Sequence, residues 1–288
     1  MSAPVVIGPS RPRRPAGRRR PLPPVGVLAA AAFLAVAAVA AVAPDLLAGP
    51  HHTVDPAAAL LGPSWEHPLG TDQLGRDVWA RVVHGARASL AVGLGATVPA
   101  AVIGSLWGLL AALGGPVVDR IAMRVADVFL SFPDILVALL VVAILGPGTV
   151  NVAVALTVAL SPGFARVVRV QTHVVRRSSY VRAAVNLGVH PARIVLRHTA
   201  PNVLLPLLAL ATMNVGTALI AGASLGFLGL GPQPPQPEWG AMLAQARNYL
   251  GASWTLGLFP GAAITLTVMS VTVVGRALRD RFEAGEDA

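Results

Sequence analysis

Site chemistry needs a nucleophile, a titratable acid or base, a cluster of metal ligands or a phosphate-cradling loop, and this sequence offers few of them. There is no cysteine, which excludes thiolate nucleophiles, disulfides and Cys-ligated metals. Neither a GxxxxGK(S/T) loop nor an HExxH helix occurs, so nucleotide phosphates have no backbone cradle and zinc no paired histidines. The seven histidines are scattered, with His51-His52 the only adjacent pair; no metal site and no cofactor are expected. His173, His190 and His198 all lie in one arginine-rich loop and not in an apolar run, so no nucleophile–base pair at membrane depth is visible. The charges that stand out lie in otherwise apolar sequence: Arg124, Asp127 and Asp134. Arg124 and Asp127 are three residues apart, a spacing that lets them pair on one helix face. An ion in an apolar setting is costly and turns toward a polar interior, so a structural pair and a role along a polar pathway both stay open.

The elements that would position these residues follow from composition. Of 288 residues, 55% are hydrophobic and only 12% charged, with a mean hydropathy of +0.67; soluble domains carry about 25% charged residues. The pattern is that of a chain that crosses a membrane several times. Residues 1–24 are a Pro- and Arg-rich tail, expected to be disordered. Val25–Val42 is uncharged and long enough to cross a bilayer. Ala41-Val42-Ala43 resembles a signal-peptide cleavage site, but Pro44 follows directly and the run is too long for a signal, so a retained helix is expected. Further spans are expected at Ser89–Leu113, Ala122–Leu145 with a kink at Pro133, Val150–Ala165, Pro201–Ala221 and Trp254–Val274.

Six spans place both termini on one side, and the basic tail marks that side as cytoplasmic. The loop between the fourth and fifth spans carries Arg166, Arg169, Arg176, Arg177, Arg182, Arg193 and Arg197 and no acid, whereas Gly146-Pro147-Gly148-Thr149 on the other side has no charge. The net charge of +9 is thus accounted for by topology, and no nucleic-acid partner is expected. No internal repeat is present, so the two-fold axis of a transport pore must come from a second chain. That also argues against a stand-alone secondary transporter, which usually shows repeats.

In the arginine-rich loop, residues 179–187 contain neither Pro nor Gly and fit a short helix. Gly188 suits its C-terminal turn and Pro191 the start of another helix. The stretch Tyr180-Val181-Arg182-Ala183-Ala184-Val185-Asn186-Leu187-Gly188, with Ile194 and Pro201 further on, resembles the EAA loop of ABC importer permeases; Arg182 stands where that family has Glu. His67-Pro68-Leu69-Gly70-Thr71-Asp72-Gln73-Leu74-Gly75-Arg76-Asp77-Val78 resembles the segment after the first span of dipeptide and oligopeptide permeases. On its residues alone it reads as turns and an N-cap, with Thr71, Asp72 or Asp77 capping a helix that contains Val78, Trp79, Val82 and Val83. Ser224-Leu225-Gly226-Phe227-Leu228-Gly229-Leu230-Gly231, followed by Pro237-Glu238-Trp239-Gly240, resembles the same subunit's last outer loop, with Gly222 where that family has Glu.

The resemblance is to the C-type permease subunit of dipeptide, oligopeptide and nickel importers and runs over roughly residues 25–282. It implies an all-α polytopic membrane protein with six transmembrane helices and the type I ABC importer permease fold. In domain terms it implies a first helix and outer segment at 25–86, a permease domain at 87–280 with a coupling loop at 166–200, and a short tail at 281–288. It implies a non-enzymatic transport subunit in a bacterial cell membrane. The partners would be a second homologous permease, two cytoplasmic ATP-binding subunits, an extracytoplasmic substrate-binding protein and the lipid bilayer. Tyr180, Arg182, Ala183, Ala184 and Gly188 would form the contact to the ATPase. The cargo, whether dipeptide, oligopeptide, nickel or another solute, is not legible.

Overall fold

The computed structural model describes residues 25–286, and the basic tail at 1–24 lies outside them. Ten α-helices follow one another: α1 (Val25–Val42), α2 (Val78–Leu113), α3 (Gly115–Leu130), α4 (Asp134–Leu145), α5 (Thr149–Arg176), α6 (Ser179–Asn186), α7 (Pro191–Ile194), α8 (Ala200–Phe227), α9 (Trp239–Ala246) and α10 (Thr255–Glu286). Five of them (α1, α2, α5, α8 and α10) are long and apolar enough to cross a membrane, and α3 with α4 makes a sixth if that bent pair is one span.

The helices overrun the apolar runs that announced them. α2 begins at Val78 rather than near Ser89, and α5 continues to Arg176 rather than ending near Ala165. Hydropathy marks only the part of a helix suited to hydrocarbon. The backbone continues through Arg81, His84 and Arg87 because no proline intervenes and Asp77 caps the N-terminus, its carboxylate accepting from the Ala80 N–H at 2.8 Å. The interruption expected at Pro133 is sharper than a kink: α3 and α4 are set at 90°. Pro133 has no N–H and disfavours helical geometry at Phe132, so α3 ends in a turn at Ser131 and α4 restarts after the proline.

The core lies where α2, α5 and α8 meet, around Ala96, Ala100, Leu156, Phe164, Val168, Ala218 and Leu225. It is built largely of small side chains, because association between apolar helices in lipid depends on close approach and dispersion contacts. Gly104 and Gly108 form a GxxxG face on α2. A Cβ at Gly104 would lie 2.5 Å from Phe164 Cβ, and one at Gly108 would lie 2.4 Å from the Ala165 carbonyl oxygen. α1 packs peripherally on α2 and α10, burying only Ala30, Ala37 and Ala40.

Candidate functional site

At the arginine-rich end, α6 projects between α5 and the α7–α8 junction. Among its residues only Val181 is buried, and Ile194 is buried on the returning strand of chain. Tyr180, Arg182, Ala183, Val185 and Leu187 face outward, with Leu196 also exposed nearby. The Tyr180 ring lies 6.2 Å from the His198 ring, centroid to centroid. Gly188, at φ +74°, closes α6: its N–H bonds the Val185 carbonyl at 3.0 Å, and the Val189 N–H bonds the Ala184 carbonyl at 3.1 Å. This is the Schellman pattern, which needs a left-handed residue at that place. A π-turn at Val195–Thr199 then joins α7 to α8, and π-turns inside helices are frequent at functional sites.

The carboxylates of α3 meet α5. Asp127 pairs with Arg166, not with Arg124, so the Arg124–Asp127 pair that the spacing allows is not formed. Asp119 takes both guanidinium donors of Arg169, Nη2 at 2.6 Å. Arg176 Nη1 donates to the Ala112 carbonyl at 2.9 Å. The three-residue spacing permitted the intrahelical pair. The tertiary crossing of α3 on α5 offered each carboxylate a partner on another helix instead.

At the opposite end the 67–78 segment folds as a tight knot. Asp72, which does not cap α2, is almost fully buried and accepts from the Leu74 N–H at 2.8 Å, the Arg76 N–H at 3.0 Å and Arg76 Nε at 2.7 Å, and it also binds Arg81 Nη1. Arg81 Nη2 reaches Gln245 Oε1 at 2.9 Å and so ties α2 to α9. Thr71 Oγ1 accepts from the Leu61 N–H at 2.8 Å. Gly75 sits at φ +71°, where a Cβ would come within 1.7 Å of the Asp55 carbonyl oxygen. His67 Nδ1 lies 2.9 Å from Asp77 Oδ2. The polar side chains His67, Thr71, Asp72, Arg76 and Asp77 are thus all engaged in holding the loop and the start of α2.

The 224–240 motif binds α2, α8 and α9 together. Buried Glu238 caps α9, accepting from the Gly240 and Ala241 N–H groups at 2.8 Å each, and Ser89 on α2 donates to it at 3.2 Å. Burial pushes its carboxyl above the usual range, against the pull of these donors. Trp239 Nε1 donates to the Val82 carbonyl at 2.8 Å. A Cβ at Gly226 would lie 2.1 Å from Glu238 Oε2, so any larger residue there would displace the capping carboxylate.

Sequence reasoning missed a strap of histidines and carbonyls on the N-terminal part of α2. Trp79 Nε1 donates to the Leu47 carbonyl at 3.1 Å, Arg87 donates to the Ala41 and Val42 carbonyls at 2.8 Å each, and His84 Nε2 lies 3.2 Å from the Gly49 oxygen. The rings of His51 and His84 are 4.3 Å apart. Partial burial first, and then the neighbouring His84, depress the pKa of His51. The His51-His52 pair was the visible signal, but its partner His84 lay a full loop away. Among the described residues no group of three or more metal-ligating side chains is placed to hold an ion.

Comparison with known proteins adds what geometry cannot. The family described as binding-protein-dependent transport system inner membrane component matches residues 104–286. The Dipeptide transport system permease protein DppC of Alkalihalophilus pseudofirmus is 40% identical over 260 residues, 90% of this chain and 84% of that protein. The Glutathione transport system permease protein GsiD of Pectobacterium atrosepticum is 43% identical over 222 residues, 77% of this chain and 74% of its own. Among solved structures, a chain of the inward-facing MetNI methionine ABC transporter aligns with a TM-score of 0.57 at 24% identity, over 70% of this chain and 94% of that chain, a likeness of fold. The helices that cross a membrane and the family match together make this a multi-pass membrane protein, a transport subunit rather than an enzyme, that works with ATP-binding and substrate-binding partners. With more than half of its length matched, the chain belongs to the binding-protein-dependent transport system inner membrane components, the permease subunits of ABC importers.

Proposed function

We propose that this permease imports peptides or similar small solutes, by analogy with its dipeptide and glutathione relatives. It forms half of the pathway beside a second homologous permease, above two ATP-binding subunits and below an extracytoplasmic binding protein. It sits in the bacterial cell membrane with both termini cytoplasmic. The observation that carries the coupling role is α6: a short helix that turns Tyr180, Arg182, Ala183, Val185 and Leu187 outward and is held by little more than Val181 and Ile194. Tyr180, Arg182, Ala183, Ala184 and Gly188 are the proposed ATPase contact. Closure of the ATPases would move α6 as a unit and carry α5 and α8 with it, switching the pathway between its two openings.

The test is co-purification of the tagged chain from mild detergent. Wild type should bring down ATP-binding subunits, and Gly188→Pro should lose them, because proline cannot take a positive φ and removes the N–H that caps α6. Arg182→Glu should also lower ATPase recovery while leaving the thermal midpoint unchanged, since Arg182 is exposed and has no ion pair among the described residues. Full ATPase recovery in both variants would move the contact elsewhere on the arginine-rich end.

A further inference from the structure

A cavity of about 380 Å³ opens between α8 and α10, lined by Ala209, Met213, Gly275, Arg276, Arg279 and Asp280. Its place in the fold follows from the packing of the two helices. Gly275 lets α10 close on α8, since a Cβ there would lie 2.5 Å from Thr212 Oγ1, and Gly216 makes the next contact, against Val268. Beside the Gly275 contact the helices leave space. One wall is the apolar Ala209 and Met213; the charged rim of Arg276, Arg279 and Asp280 follows directly on the uncharged run of α10 that ends at Gly275. Apolar wall and charged rim therefore fall at the depth where a bilayer passes from acyl chain to headgroup.

Arg276 is exposed and makes no hydrogen bond or ion pair among the described residues. Asp280 lies one turn further along α10 but is not within ion-pair distance of it. A guanidinium at this depth is a strong donor for phosphate oxygens. Exposed Met213, Met269 and Val273 continue the apolar surface away from the rim, offering a track for acyl chains. Basic pockets between membrane helices on the positively charged side suit anionic headgroups.

We propose that this cavity binds one anionic phospholipid of the leaflet at the arginine-rich end, with its phosphate on Arg276 and its acyl chains along Met213 and Met269. Asp280 at the rim opposes a second anion, which limits the site to one headgroup. The shared chemistry is an anionic phosphate oxygen; a soluble phosphate would satisfy Arg276 but would leave the apolar wall uncovered.

The experiment uses the full chain with its co-purifying subunits in neutral detergent. Native mass spectrometry counts bound lipid after titration with phosphatidylglycerol or phosphatidylcholine, and a thermal scan is run with each lipid and with inorganic phosphate alone. The expected result is one retained phosphatidylglycerol per chain and a rise in midpoint with that lipid only. Arg276→Gln should lower its occupancy at least threefold, and Ala209→Leu, which narrows the cavity without touching charge, should do the same. Equal retention of both lipids, or no change in either variant, overturns the proposal. A midpoint shift with inorganic phosphate equal to that with phosphatidylglycerol also overturns it, assigning the site to a soluble anion. Loss of ATP-binding subunits in Arg276→Gln with lipid occupancy unchanged overturns it in favour of a protein contact. Because Arg276 lies outside α6, failure here leaves the coupling proposal standing.

Discussion

Two aspartates show how burial changes the weight of an ion pair. Asp72 and its partners Arg76 and Arg81 have side chains only 4–10% exposed, whereas Asp127 and Arg166 are each 51% exposed. A buried charge left without its partner costs about 3–5 kcal/mol, and a pair at the surface contributes about 0–1 kcal/mol. Asp72→Asn would leave two buried guanidinium groups uncompensated and should lower the unfolding free energy by about 3–5 kcal/mol. Asp127→Asn should change it by less than about 1 kcal/mol. Thermal unfolding of both variants in one detergent provides the comparison, and equal shifts would contradict the burial argument. The motif that contains Asp72 was legible as turns and a cap. That Asp77 takes the cap and Asp72 the two arginines was not, because Arg81 comes within reach only after α2 has formed and docked.

At the level of elements, two of the contacts that hold α2 in place can be tested separately. One is its GxxxG face. Gly104→Leu would force side-chain atoms into Phe164 and the Ser161 carbonyl, whose distances from a bare Cβ are already 2.5 Å. Overpacking typically costs about 1–3 kcal/mol; the substitution should lower the midpoint, and Leu106→Ala, exposed on the same helix, should not. The other contact is the outer strap of residues 41–52. Folding depresses the His51 pKa below its ordinary 6.5, so the folded arrangement favours the neutral ring. The sign follows: the contribution of His51 is complete above pH 6.5 and is lost as pH falls through its lower folded value. Amide exchange across 43–52, corrected for intrinsic rates, should therefore speed up between pH 7.5 and pH 5. His51→Gln, which cannot titrate, should flatten that dependence; an unchanged profile in this variant would remove His51 as its source.

For the whole molecule the question is which end faces which compartment. The absence of cysteine makes a clean assay possible, since any introduced thiol is unique. Glu66→Cys lies in the outer segment and Arg182→Cys on α6, and both positions are exposed. An impermeant maleimide should label the first in intact cells and the second only after permeabilisation. The reverse pattern would invert the proposed orientation and detach the arginine-rich end from cytoplasmic ATPases.

The amino-acid sequence by itself determined the helical class, the number of apolar runs and the end at which arginine gathers. These depend on local hydropathy and on the energy of placing charge in hydrocarbon, neither of which needs a distant contact. It also determined the short helix closed by Gly188, because a positive φ after a breaker-free stretch is a local event. Tertiary structure decided the rest. The right-angle break at Pro133, the partners of Asp127 and Asp72, the meeting of His51 with His84 and the cavity under Arg276 all join residues from separate segments. Such contacts arise from how helices cross, and crossing is set by the small-residue faces that let backbones approach, a property of pairs of helices that no single segment displays.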